Sequence, residues 1–482
     1  MLIRRAELGF GARVADVRIE TGCVTEVGAR LAHRQGEAEL DAGGAALLPA
    51  LRDHHLHLYA LAAARASVRC GQPDVAGAET LEAVLRRADG TLPSGEWLRG
   101  TAFHESVLAA SGIEDFRAWL DAVLPARPVR IQHRGGRLWW LNTAALRRLG
   151  VHPAAVDTPL ERSGRDFTGR LYDADGWLRQ RVGSVRPSLA VVSRELWRWG
   201  VTAVTDASHA NGRADYAAFA AAQTRGELLQ DVRVMGGAEL DAVKDAVNGS
   251  AHLWRGERKF HLHAQALPDF DLLCAQIRTA HAAGRGAAFH CVERGELIFA
   301  LAALDASGVR DGDRIEHAGV APPELVAQVA TLGVTVVTQP GFIAERGDVY
   351  RREVTADDQP WLYPVRRFLA AGVPLALSSD APYADPNPWR TAAAAVARQT
   401  PAGTVLNPEE RLTPEYAVAR LMAPLAAPGV EVPRVAAGMA ADLCLLPMPW
   451  RAACRNLAHI VPVAVWRRGL GPVASPACAA LG

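Results

Sequence analysis

Lysine is nearly missing from this sequence: of 53 basic residues, only Lys244 and Lys259 are not arginine. Aromatic residues are sparse at 6%, and acidic and basic charges almost cancel to a net +1. Such a balance excludes the electrostatic footprint of nucleic-acid or anionic-membrane binding. No apolar run reaches the ~18 residues of a membrane-spanning helix, and Met1-Leu-Ile-Arg-Arg lacks a signal peptide's apolar core. The seven cysteines (Cys23, Cys70, Cys274, Cys291, Cys444, Cys454 and Cys478) include no Cys-x-x-Cys pair, which fits a reducing compartment. A cytoplasmic protein is expected, acting on a small molecule, with no nucleic acid or membrane as partner and with homo-oligomers possible by analogy of fold.

What is present is length: 482 residues suffice for a large barrel and a second domain. Period-two alternation in Arg13-Val-Ala-Asp-Val-Arg-Ile-Glu and Gly22-Cys-Val-Thr-Glu-Val-Gly returns near the other end in Pro462-Val-Ala-Val-Trp. A small β-sandwich built from both termini, residues 1–46 and 435–482, is the economical reading. Between them, strand-like runs alternate with Ala-rich helical stretches, the mark of a parallel sheet. Eight strands are expected: Ala45–Asp53, Val201–Asp206, Asp231–Gly236, Lys259–His263, Gly286–His290, Asp313–His317, Val334–Gln339 and Pro374–Asp380. No Gly-rich phosphate loop follows the first, so a closed (β/α)₈ barrel over residues 47–434 is favoured over an open doubly wound α/β sheet. Residues 70–195 are too long for an ordinary connection and read as an inserted lid with its own strand, Val129-Arg-Ile-Gln-His.

The strand ends carry the chemistry. In an extended Asp53-His-His-Leu-His, His55 and His57 share a face and can bind one divalent ion. His290, His317 and Asp380 each close another strand, and parallel strands bring such ends to one face of a barrel. Lys259, a lysine where arginine is the habit, opens the fourth strand. A desolvated lysine can lose its proton and take up carbon dioxide as a carbamate able to bridge two metals. His261 and His263 alternate with it as fallback ligands.

These residues lie within Pro49-Ala-Leu-Arg-Asp-His-His-Leu-His, Gly95-Glu-Trp-Leu-Arg-Gly, Trp140-Leu-Asn-Thr-Ala-Ala-Leu, Gly200-Val-Thr-Ala-Val-Thr-Asp, Arg314-Ile-Glu-His-Ala, Ser379-Asp-Ala-Pro-Tyr and Ala437-Gly-Met-Ala-Ala-Asp-Leu. Together the segments resemble the amidohydrolase superfamily, in the family 3 branch similar to N-substituted formamide deformylases. The resemblance implies a metal site of His55, His57, Lys259, His290, His317 and Asp380. Two departures stand out: Ala50 replaces the glycine usual after the first-strand proline, and Gly136-Arg137 stands where the family often has a lid histidine.

The expected activity is hydrolysis of a non-peptide C–N bond by water activated on one or two divalent ions, zinc first, manganese or iron next. Asp380 is the expected general base, with His317 beside it at the reacting carbonyl. With two ions, His55 and His57 hold one, His290 and His317 the other, and carboxylated Lys259 bridges them. With one ion, some histidines become oxyanion donors. Trp140, Asn142, Arg137 and Tyr383 are candidate substrate contacts. The alternatives are the same barrel acting as a deaminase or a C–C lyase (a decarboxylase), and a catalytically silent binding protein.

Overall fold

The computed structural model describes every residue except 73, 153, 154, 156, 184, 185, 249, 250, 431 and 472–482, so Cys478 lies outside it. Eight parallel strands follow one another in chain order: β1 (Leu51–Leu56), β2 (Val201–Asp206), β3 (Asp231–Gly236), β4 (Ala251–His261), β5 (Ala287–Cys291), β6 (Arg314–His317), β7 (Thr335–Thr338) and β8 (Leu375–Leu377). Each pairs in parallel with the next. The ring is bridged just past β8, where the Asp380 N–H donates to the His55 carbonyl at 2.8 Å and the His57 N–H to the Ala381 carbonyl at 2.8 Å. All six residues of β2 are buried, as in a strand covered on both faces. Helices Arg294–Ser307 and Pro323–Leu332 return the chain between strands; the second ends at Gly333, whose φ of 69° suits a residue without Cβ.

Two strands differ from their sequence pattern. The run expected as Ala45–Asp53 serves two sheets: Ala46–Pro49 joins the terminal sheet, and the barrel strand starts at Leu51. The partners change at that junction, since the Ala50 N–H donates to the Asp442 carbonyl and the Leu51 N–H to the Gly200 carbonyl. The fourth strand begins at Ala251, eight residues before the expected Lys259. Lys259 therefore sits near the strand's C-terminal end, and His263 lies beyond it.

Strands Leu2–Leu8, Arg13–Glu20, Cys23–Gly28, Glu39–Asp41, Ala46–Pro49, Leu443–Leu445 and Ala464–Trp466 form one seven-stranded sheet from both ends of the chain. It packs around Ile3, Val17, Leu47, Leu443 and Trp466. By contacts the chain divides into two compact units, 1–58 with 189–482, and 59–188. The second contains a six-stranded sheet that includes Val129–His133, with a core around Leu85, Phe103, Phe116 and Trp140. No disulfide occurs among the described residues, and no described helix is long and apolar enough to cross a membrane.

Candidate metal centre

At the C-terminal ends of the barrel strands, one carboxylate faces three imidazoles. Asp380 Oδ1 lies 3.4 Å from His55 Nε2 and 3.2 Å from His57 Nε2, and its Oδ2 lies 3.9 Å from His317 Nδ1. His55, His317 and Asp380 each bring one ligand atom within 4.8 Å of the others. The backbone bends to achieve this. His317, the last residue of β6, and Asp380, beyond Ser378 and Ser379 after β8, sit at positive φ, 70° and 58°, a conformation that costs on the order of 1–3 kcal/mol for a residue with a Cβ.

For His55 and His317 the partners on the far side of the ring decide which nitrogen holds the lone pair. His55 Nδ1 meets the Glu316 carboxylate, which only accepts, so Nδ1 carries the hydrogen and Nε2 the lone pair. His317 Nδ1 lies 2.7 Å from Gln339 Oε1. The amide is oriented by its own Nε2, which donates to Ser378 Oγ at 2.9 Å and toward the Val337 carbonyl at 3.4 Å. His317 Nε2 is thus a lone-pair nitrogen, buried and without a hydrogen-bond partner. His57 Nδ1 meets Ser208 Oγ at 2.8 Å, and the Ser208 N–H is held 3.2 Å from Asp206. The arrangement matches that of metal-ligating histidines, whose second nitrogen donates to an outer partner.

Lone pairs facing lone pairs are unfavourable unless a cation lies between them. Adjacent ligands on a tetrahedral ion with bonds of ~2.0–2.1 Å stand about 3.3 Å apart, close to the observed separations of 3.2 and 3.4 Å. Asp380 Oδ1 and Lys259 Nζ are, like His317 Nε2, buried without hydrogen bonds. The donor set fits a divalent ion. Burial holds His55 down to about 3 and keeps His317 and His290 below the ordinary histidine value, so all three rings are neutral.

The remaining predicted ligands lie alongside. The rings of His290 and His317 are 4.4 Å apart, edge to face. Lys259 Nζ is 4.0 Å from Glu316 Oε2, and burial lowers it to about 8. His261 lies 4.4 Å from both His290 and His263, and 4.8 Å from His209. Tyr383, half-buried, has its ring 5.5 Å from His57. The sequence reading missed Glu316, Gln339 and Ser208. For Glu316 a signal existed: it precedes a strand-end histidine and shares a strand face with Arg314.

The unit 59–188 holds the other substrate candidates, and two of them are engaged in its own packing. Asn142 has every polar position engaged: Oδ1 accepts from the Val129 and Ala145 N–H groups, and Nδ2 donates to the Leu124 and Arg127 carbonyls. Trp140 is 4% exposed, edge-on to Phe103 and Phe116 under the Arg170 guanidinium. Both side chains are committed to folding this unit. Arg137 forms a two-pronged pair with Asp173, at 2.8 and 2.5 Å.

The same unit contains a second metal-like group, His104, Glu105 and His133, with ligand atoms again within 4.8 Å of one another. Its nitrogens are reversed. His104 Nδ1 accepts from the Ser106 N–H at 3.1 Å and His133 Nδ1 from the Gly135 N–H at 3.0 Å. Each neutral ring therefore carries its hydrogen on Nε2, and His133 Nε2 lies 3.3 Å from Glu105. That contact, offset in part by burial, holds Glu105 down to about 2.

Comparison with known proteins fits the barrel site. An N-substituted formamide deformylase of Arthrobacter pascens is 26% identical over 466 residues, 86% of this chain and 84% of that one. A metal-dependent hydrolase from Pyrococcus horikoshii OT3 superposes with a TM-score of 0.75 at 19% identity, over 95% of this chain and 99% of that one. An atrazine chlorohydrolase from Arthrobacter aurescens TC1, solved with zinc, superposes with a TM-score of 0.54 at 17% identity, over 97% and 94%. At these identities the two structures establish a shared fold. The model of the amidohydrolase family matches residues 38–470, nearly the whole sequence, and the chain belongs to that family of hydrolases.

Proposed function

We propose that this chain is a metal-dependent hydrolase of C–N bonds in small amides, formamides or related molecules. The observation that carries the reading is the facing of His55 Nε2, His57 Nε2 and Asp380 Oδ1 at the spacing of ligands on one ion. The names of the deformylase and of the metal-dependent hydrolase, and the zinc of the chlorohydrolase, support it. His55, His57 and Asp380 hold the first ion. His317, through its unpartnered Nε2, and His290 would be donors for a second, with the buried Lys259 amine as a further candidate ligand. A buried lysine near 8 has a neutral fraction at neutral pH, and its free amine adds carbon dioxide with loss of a proton to give a carbamate.

Zinc or a similar ion bound there supplies Lewis acidity and lowers the pKa of water to about 7. Asp380 accepts a proton and returns it to the leaving nitrogen. With Nδ1 donating to Gln339 Oε1, His317 cannot donate from Nε2, so it acts as a ligand and not as an oxyanion donor. Tyr383 beside His57 flanks the substrate. The test is a panel of N-substituted formamides, amides and carbamates, assayed for released amine before and after chelation and with zinc restored. Metal-dependent release supports the reading; a zinc-loaded chain that hydrolyses none of them contradicts it.

A further inference from the structure

We propose that Glu316 is a positioning residue that fixes which nitrogen of His55 is available to a metal ion, and so sets the metal affinity of the site. The inference rests on His55 being a ligand. Alternation along β6 places Arg314 and Glu316 on one face, and both are almost completely buried. Arg314 Nε donates to Glu316 Oε1 at 2.5 Å, and Arg314 Nη2 donates to Oε2 at 3.1 Å and to the His54 carbonyl at 2.7 Å. The guanidinium therefore grips the carboxylate from one side and ties it to β1, leaving Oε2 against His55 Nδ1. A planar fork on a carboxylate allows little rotation.

The charge is held as firmly as the geometry. Both carboxylate oxygens accept from the Arg314 guanidinium, which keeps the group ionised. A second ion pair, Glu257 with Arg233 at 2.8 Å, lies within electrostatic reach of Arg314. An ionised carboxylate accepts and never donates, so His55 is locked with hydrogen on Nδ1. The partner of His57 is the Ser208 hydroxyl, which can donate or accept and so imposes no such choice.

Glu316→Gln keeps the shape and breaks the logic. The amide can offer its carbonyl to His55 only by turning its NH₂ toward the donors of Arg314. If it turns the other way, His55 is forced into the tautomer with hydrogen on Nε2. Zinc affinity of the folded variant, measured by competition with a chromophoric chelator, is expected to fall about 10–100-fold, the range for loss of an outer-shell partner. Adding Arg314→Met removes the competing donors and should recover part of the loss, whereas a purely structural role makes the double variant worse than the single. A folded Glu316→Gln protein that binds zinc as tightly as the unaltered chain overturns the proposal. If the variants do not fold, ¹⁵N-histidine NMR of the unaltered, metal-free chain decides: hydrogen on His55 Nδ1 upholds the proposal, and hydrogen on Nε2 overturns it. An unaltered chain that takes up no zinc overturns the ligand reading beneath it and the proposal with it.

Discussion

Two groups of histidine and carboxylate in this chain look alike by composition and spacing, one at the barrel mouth and one in the unit 59–188. Their hydrogen bonds make them opposites. At the barrel, the outer nitrogens of His55 and His317 face a carboxylate and an amide oxygen, so the inner nitrogens keep their lone pairs. At His104 and His133 the same ring position accepts a backbone N–H, so the nitrogens near Glu105 carry hydrogen. Proximity alone therefore does not define a metal site; the second partner of each imidazole does. The groups also differ in burial: Asp380 is 6% exposed, while Glu105 lies on the surface.

The strongest way to break this comparison is at the carboxylates. Asp380→Asn should cut turnover about 10²–10⁴-fold, the usual contribution of an acid–base group, with fold and most bound metal retained by circular dichroism and mass spectrometry. Glu105→Gln should leave turnover unchanged. Next come the imidazoles. His317→Ala should lower bound metal measured by inductively coupled plasma mass spectrometry, and His133→Ala should not; equal losses would erase the distinction. Gln339→Leu touches no ion, yet removes the acceptor that orients His317, and should weaken zinc binding about 10–100-fold in a chelator competition.

How far sequence revealed this site follows from how local each signal is. His55, His57, His290, His317 and Asp380 were legible because each ends a strand, and parallel strands bring their ends together. Lys259 was legible as a residue but not in its place. Its strand starts at Ala251, and Glu257 and Arg258 make the run look exposed although they are paired inside with Arg233 and Asp241. Glu316 was unreadable as a partner because His55 lies 261 residues away. Trp140 and Asn142 lie in a motif of the recognised family, yet a motif can be kept for folding: Asn142 caps the helix Thr143–Arg148. The double use of the run around Ala50 was hidden because both sheets want the same apolar residues.

The smallest expected effect concerns pH. In the folded chain Glu105 titrates near 2, below its ordinary 4.5, so it contributes stability above about 4.5 and loses it as pH falls toward 2. Because the group is largely exposed, that contribution should be under about 1 kcal/mol. Denaturant unfolding of the Glu105→Gln variant should show a slight deficit at pH 7 that disappears near pH 2; a deficit undiminished at pH 2 would contradict the ionised Glu105 carboxylate as its source.

The most direct single measurement is anomalous diffraction at the zinc edge from crystals grown with zinc. Strong density is expected at His55, His57 and Asp380, with any second peak at His317 and His290, and none between His104, Glu105 and His133. Density at the second group, or none at the barrel, would contradict the claim that the outer partners of the imidazoles decide where metal binds.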